Sequence, residues 1–180
     1  MTNVVARYGG VAIALHWASA VLVVAGFALG LWMTGLDLSP ATLRYYAWHK
    51  WIGVTVFVTA AVRLAWRVAV PPPPWPDRVP PWQRRAAAAV HRLLYALLLA
   101  VPVSGWLYGS AAGVQLVYLG VLPLPNPIGK DREVARWLLL LHQALNFTLA
   151  AAVTAHVAAA WWHGVVLRDG VLARMLPRRR

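Results

Sequence analysis

Apolar residues run along this chain in four long stretches, separated by short polar or proline-rich connections. The stretches cover about Val11 to Met33, Trp48 to Val70, Val90 to Tyr108 and Trp137 to Val166. Each is near or above the roughly 20 residues that an α-helix needs to cross a hydrocarbon core about 30 Å thick. The pattern predicts an all-α fold: one domain over residues 1–180, built as a four-helix transmembrane bundle. Pro102 sits inside the third stretch and should kink it, which is tolerable where neighbours satisfy the freed carbonyl.

The connections have their own character. Pro71-Pro72-Pro73-Pro74-Trp75-Pro76, followed by Pro80 and Pro81, reads as a stiff polyproline-like surface segment. Ala111 to Leu124 is apolar but too short to span, so an interfacial or re-entrant piece is expected there. Met1 to Gly10 is short, and the first apolar run is too long for a signal-peptide core. That run is expected to stay as a helix.

Charge adds an orientation. Lys and Arg number 17 against 5 Asp and Glu, yet the arginines lie between apolar runs and not on a polar scaffold, so nucleic-acid binding is not expected. Arg7, the loop residues Arg67, Arg78, Arg84 and Arg85, and the tail residues Arg168, Arg174, Arg178, Arg179 and Arg180 share one side. Arg44, Lys50, Lys130, Arg132 and Arg136 share the other, partly offset by Asp37, Asp131 and Glu133. The first side is expected to be cytoplasmic, with both termini inside. Trp32, Trp48, Trp51, Trp66, Trp137, Trp161 and Trp162 fall near span ends, as an aromatic belt in contact with membrane lipid would.

The candidate chemistry lies in six histidines, because there is no cysteine. Thiolate metal sites, iron–sulfur clusters and covalent C-x-x-C-H haem attachment are thereby excluded. His16, His49, His142 and His156 all lie within apolar stretches, where an imidazole is costly unless it pairs or binds something. One such histidine is more often a hydrogen-bonded core residue than a ligand. Depth separates these four into two sets. His49 and His142 share the outer level, and His16 and His156 the inner. His142 and His156 are fourteen residues apart, about 21 Å along a helix and within roughly 40° of the same face.

Two levels of facing imidazoles suit two stacked flat cofactors, each iron held from both sides of a porphyrin. Gly53, one turn after His49, and Ala12, Ala20, Ala152 and Ala160, one turn from His16 and His156, would leave room. A non-haem metal transporter is the competing polar reading. It is disfavoured by the split into two pairs and by the lack of acids inside the spans. Arg63, fourteen residues from His49, could meet a haem propionate, contact a substrate, or snorkel to the inner surface. His91 and His163 are expected at the inner interface, where they could exchange protons or simply meet lipid headgroups. Gly26 and Gly30 form a G-x-x-x-G that could mark a dimer face, which leaves the oligomeric state open.

Arg7-Tyr8 before Leu15-His16-Trp17, His49 followed by Gly53, and Val90-His91-Arg92-Leu93-Leu94-Tyr95 leading to Pro102 and Gly105 form a pattern. It continues with His142, His156 and His163 and ends in Leu172-Ala173-Arg174-Met175-Leu176-Pro177-Arg178. Over nearly its whole length the chain resembles the bacterial cytochrome b561 family, and within it the superoxide oxidase type. The resemblance implies an inner-membrane oxidoreductase with two haem b groups on His16, His156, His49 and His142. It further implies a ubiquinone site at the cytoplasmic side near His91 and His163. Electrons would pass from superoxide, or from a redox partner protein, at the outer side to the quinone. Related di-haem subunits instead anchor a partner dehydrogenase, and that alternative stays open here.

Overall fold

The computed structural model describes residues 6–177; Arg178, Arg179 and Arg180 of the basic tail lie outside the described residues. Four helices dominate: α1 (Gly10–Met33), α2 (Pro40–Ala69), α3 (Pro81–Ala111) and α4 (Arg132–Trp161). All four are long and apolar enough to cross a membrane. A two-stranded hairpin, β1 (Val117–Tyr118) and β2 (Leu122–Pro123), joins α3 to α4. After Trp161 the chain makes a π-helical turn over Trp162–Leu167 and a short 3-10 turn over Leu172–Met175.

Three of the helices begin well before their apolar stretches, because side-chain caps or a first-turn proline, and not hydropathy, start them. Ser39 accepts the Thr42 N–H at 3.1 Å and Pro40 occupies the first turn of α2. Pro81 opens α3 nine residues ahead of Val90. Asp131 Oδ1 accepts the Glu133 and Val134 N–H groups at 2.8 and 3.0 Å and starts α4. The α3 helix runs on through Pro102. It stops where Gly113 takes a left-handed φ of 77° and donates to Ser110 O.

The segment between α3 and α4 is stitched onto the bundle. Ser110 Oγ donates to Ile128 O at 2.6 Å and accepts Ile128 N–H at 3.0 Å. Trp51 Nε1 donates to Val117 O at 2.7 Å, and Thr55 and Tyr118 share a hydroxyl hydrogen bond at 3.0 Å. The apolar piece expected near Ala111 to Leu124 is thus a hairpin folded against α2 around Trp51 and Thr55. Trp51 turns inward to it, whereas Trp32, Trp137, Trp161 and Trp162 stay more than half exposed, as belt residues do.

Helix α1 packs on α2, α2 on α3 and α3 on α4. The buried core is Val56 and Ala60 of α2, Leu97, Leu98 and Val101 of α3, and Leu149 and Ala152 of α4. Ala152 therefore fills the core and does not flank a space beside His156. Most other apolar side chains face outward, which suits hydrocarbon surroundings in which close packing holds helices together. Two ring pairs join α1 to α4: Phe27 with Phe147 at 6.5 Å and His16 with His156 at 6.1 Å.

Candidate functional site

The end of the bundle nearest the hairpin encloses a cavity of about 540 Å³, within the usual range for cofactor sites. Gly26, Gly30, Gly53 and Gly105 line it, together with His49, His142, Lys50, Phe27 and Phe147. The two imidazoles face each other with ring centres 6.3 Å apart and planes at 88°. Two axial imidazoles on one iron should have centres about 6 Å apart, from roughly 2 Å per metal–nitrogen bond and about 1 Å from nitrogen to ring centre.

Glycine makes this approach possible. A Cβ on Gly30 would lie 3.0 Å from His49 Cε1, and one on Gly105 would lie 2.9 Å from His142 Cε1. Space opposite Gly53 is open. Gly26 would press a Cβ to 3.1 Å from Ile52, so the Gly26–Gly30 face packs inward against α2. It is not a free face for a second copy.

The protons on the two rings are held differently. His142 Nδ1 lies 3.0 Å from Ser104 Oγ and 3.1 Å from Val101 O, which leaves Nε2 unengaged. His49 Nδ1 is buried without a hydrogen-bond partner, with the Gly26 backbone facing the ring. A buried polar atom left unpaired is unusual in a finished interior. The donor set, the ring spacing and the glycine-lined space fit an iron porphyrin.

At the opposite end, His16 and His156 stand 6.1 Å apart with planes at 62°. Their spacing fits the same group. This level is more crowded. His91 on α3 comes within 5.3 Å of His156, and Arg63 lies against His16 and over the Tyr95 ring at 5.4 Å. His91 therefore packs into the bundle beside His156, ten residues beyond the start of α3. Arg63 does not snorkel outward. Its Nη2 donates to His16 Nδ1 at 3.1 Å. In a neutral ring that accepts at Nδ1, the proton sits on Nε2. Iron binding at Nε2 would require this bond to be given up, freeing the guanidinium for a carboxylate such as a haem propionate.

His163 lies beyond both levels, in the π-helical turn. The α-helical phase ends at Trp161, so spacing from His156 no longer sets its direction. Its Nδ1 lies 2.5 Å from Asp169 Oδ2. Among the described residues this is the one pairing of a carboxylate with a basic side chain. In the sequence Asp169 falls past the last apolar run, where hydropathy carries no signal for it. Among the described residues no three His, Asp or Glu side chains gather as a site for a bare metal ion.

A profile of prokaryotic cytochrome b561 matches residues 7–178. Cytochrome b561 homolog 2 of Escherichia coli strain K12 is 35% identical over 183 residues, covering 97% of this chain and 94% of that protein. Cytochrome b561 homolog 1 of the same organism is 28% identical, over 97% and 99%. A probable superoxide oxidase, CybB, of Yersinia pestis is 25% identical, over 97% and 98%. With four membrane-length helices and facing imidazoles in the bundle, the chain belongs to the prokaryotic cytochrome b561 family, whose members are haem b proteins of membrane electron transfer.

Proposed function

We propose that the protein is a di-haem superoxide oxidase of the bacterial inner membrane. It would convert two superoxide anions, one ubiquinone and two protons into two molecules of dioxygen and one ubiquinol. The observation that carries this reading is the pair of facing imidazole couples, 6.3 and 6.1 Å apart, at the two ends of one bundle. His49 and His142 would hold one iron, His16 and His156 the other. Bound there, b haems supply one-electron carriers at two depths.

The chain's own residues do the rest. Lys50 lines the cavity beside His49, and no carboxylate stands within ion-pair distance of it among the described residues. With Arg44, Lys130, Arg132 and Arg136 it makes the hairpin end attractive to a small anion. The probable superoxide oxidase among the relatives supports that choice of donor. The core of Val56, Leu97, Leu98, Val101 and Leu149 keeps water out of the middle of the bundle. Arg63 would hold a propionate or the quinone, while His91 and the His163–Asp169 pair would supply protons. The basic segments at that end support a cytoplasmic location for both termini.

A visible spectrum with haem counted per chain tests the reading, two being expected. Replacing His142 or His156 should each remove one haem and leave the other. Rapid mixing with superoxide should reduce both; haems that stay oxidised with superoxide yet are reduced by a quinol would reverse the direction. A second function, as the electron-transfer anchor of a dehydrogenase, predicts co-purification with a partner and no activity of the isolated chain.

A further inference from the structure

Ser104 is 3% exposed and sits on α3 one residue before Gly105. Its Oγ lies 2.8 Å from Val101 O and 3.0 Å from His142 Nδ1. A hydroxyl has one hydrogen, and a carbonyl can only accept, so the serine donates to Val101 O. Its oxygen is then an acceptor toward the ring. His142 Nδ1 also lies 3.1 Å from the same carbonyl. Both neighbours of Nδ1 accept, so the proton resides on Nδ1 and the Nε2 lone pair is exposed. Gly105 supplies the room, and Ser104 with Val101 supplies the tether.

His49 has no side-chain tether: its buried Nδ1 makes no close hydrogen bond, and only the Gly26 backbone faces the ring. An imidazole whose second nitrogen donates to good acceptors is oriented, held in one tautomer and made more basic at the coordinating nitrogen. A more basic ligand favours the oxidised metal. We propose that Ser104 is a positioning residue that makes His142 the stronger of the two ligands at the hairpin end. It thereby lowers the reduction potential of that haem relative to a protein lacking the hydroxyl. This rests on the reading of His49 and His142 as axial ligands.

The test uses the full chain purified in detergent, as wild type, Ser104→Ala and Ser104→Thr. Haem is counted per chain, the two midpoint potentials are titrated, and electron paramagnetic resonance of the oxidised protein reports the angle between axial rings. Ser104→Ala should keep both haems, raise one potential and leave the other unmoved, with a changed signal for the shifted haem only. Ser104→Thr, which keeps the hydroxyl, should hold the wild-type values. Two haems with both potentials unchanged in Ser104→Ala, or both displaced alike, would overturn the proposal. A wild-type chain without haem would overturn the ligand reading itself.

Discussion

Asp169 grips His163 and the chain beyond it at once: Oδ2 lies 2.5 Å from His163 Nδ1, and Oδ1 accepts the Val171 N–H at 3.1 Å. Arg168, between them, holds a left-handed φ of 47°, an uncommon setting for a non-glycine residue. The π-helical turn and this residue bend the chain so that a carboxylate six positions away can reach back to the ring. A carboxylate on Nδ1 fixes the tautomer and leaves Nε2 for exchange with another group.

If His163 passes protons to a quinone, Asp169→Asn should slow quinone reduction about ten- to hundredfold, since the amide cannot stabilise a protonated ring as a carboxylate does. Haem content and spectrum should not change. Stopped-flow oxidation of the pre-reduced protein by a water-soluble quinone measures this. A wild-type rate in the variant would remove the pair from the proton path.

The glycine cradle predicts a selective loss. A valine at position 105 would push atoms into His142, where even a Cβ would come within 2.9 Å of Cε1. Gly105→Val should abolish the haem of the hairpin end and spare the other, halving the pyridine haemochrome signal. Gly30→Val should do the same through His49. Gly9→Ala, with nothing within 4 Å of the added carbon, should leave the signal intact.

Arg174 predicts a stability effect at the other end. It is 4% exposed, donates to Ala6 O at 3.2 Å and to Pro73 O, and lies over the rings of Tyr8 and Trp75 at 5.3 and 5.5 Å. Burial lowers its pKa from the ordinary arginine value, but a guanidinium still stays charged at neutral pH. The residue clasps the chain before α1, the polyproline segment and the 3-10 turn. Arg174→Ala should cost about 2–4 kcal/mol, because two charge-assisted hydrogen bonds are lost and two carbonyls are left with fewer donors. Arg174→Lys should not recover it, for lack of the planar fork. Hydrogen exchange over residues 171–177 and the thermal midpoint would show the change; protection like that of the wild type would sink the clasp.

Attraction of an anion to the hairpin end predicts a salt effect. Arg44 and Arg132 are exposed there. The rate of haem reduction by superoxide should fall as ionic strength rises, and the double variant Arg44→Glu, Arg132→Glu should slow it by up to about tenfold at low salt and less at high salt. Equal rates at low salt would mean that these residues do not steer the donor.

Much of this protein was legible in the order of its residues. Hydrocarbon thickness and helical rise are constants, so four apolar runs imply four spans, and His16, His49, His142 and His156 sort by depth before any contact is known. The matching levels of His49 with His142 and of His16 with His156 follow from counting alone. Helix starts were less legible, because Ser39, Pro81 and Asp131 extend α2, α3 and α4 into polar sequence that hydropathy does not register. With that extension His91 falls well inside α3 and packs against His156.

What only the tertiary structure decided depends on the rotation of one helix against another. Counting residues cannot say that Gly30 faces His49, that Gly105 and Ser104 meet His142, or that Arg63 meets His16. Each contact joins two helices whose relative phase is set by packing. The same rotation turned the Gly26–Gly30 face inward. The Asp169 contact had a different cause, since a switch from α to π winding breaks the periodicity on which sequence phase rests. The sequence by itself determined the spans and the depths of the histidines, through lengths that every helix shares. The folded structure alone decided which small and polar side chains surround each imidazole, because that follows from how the four helices are turned toward one another.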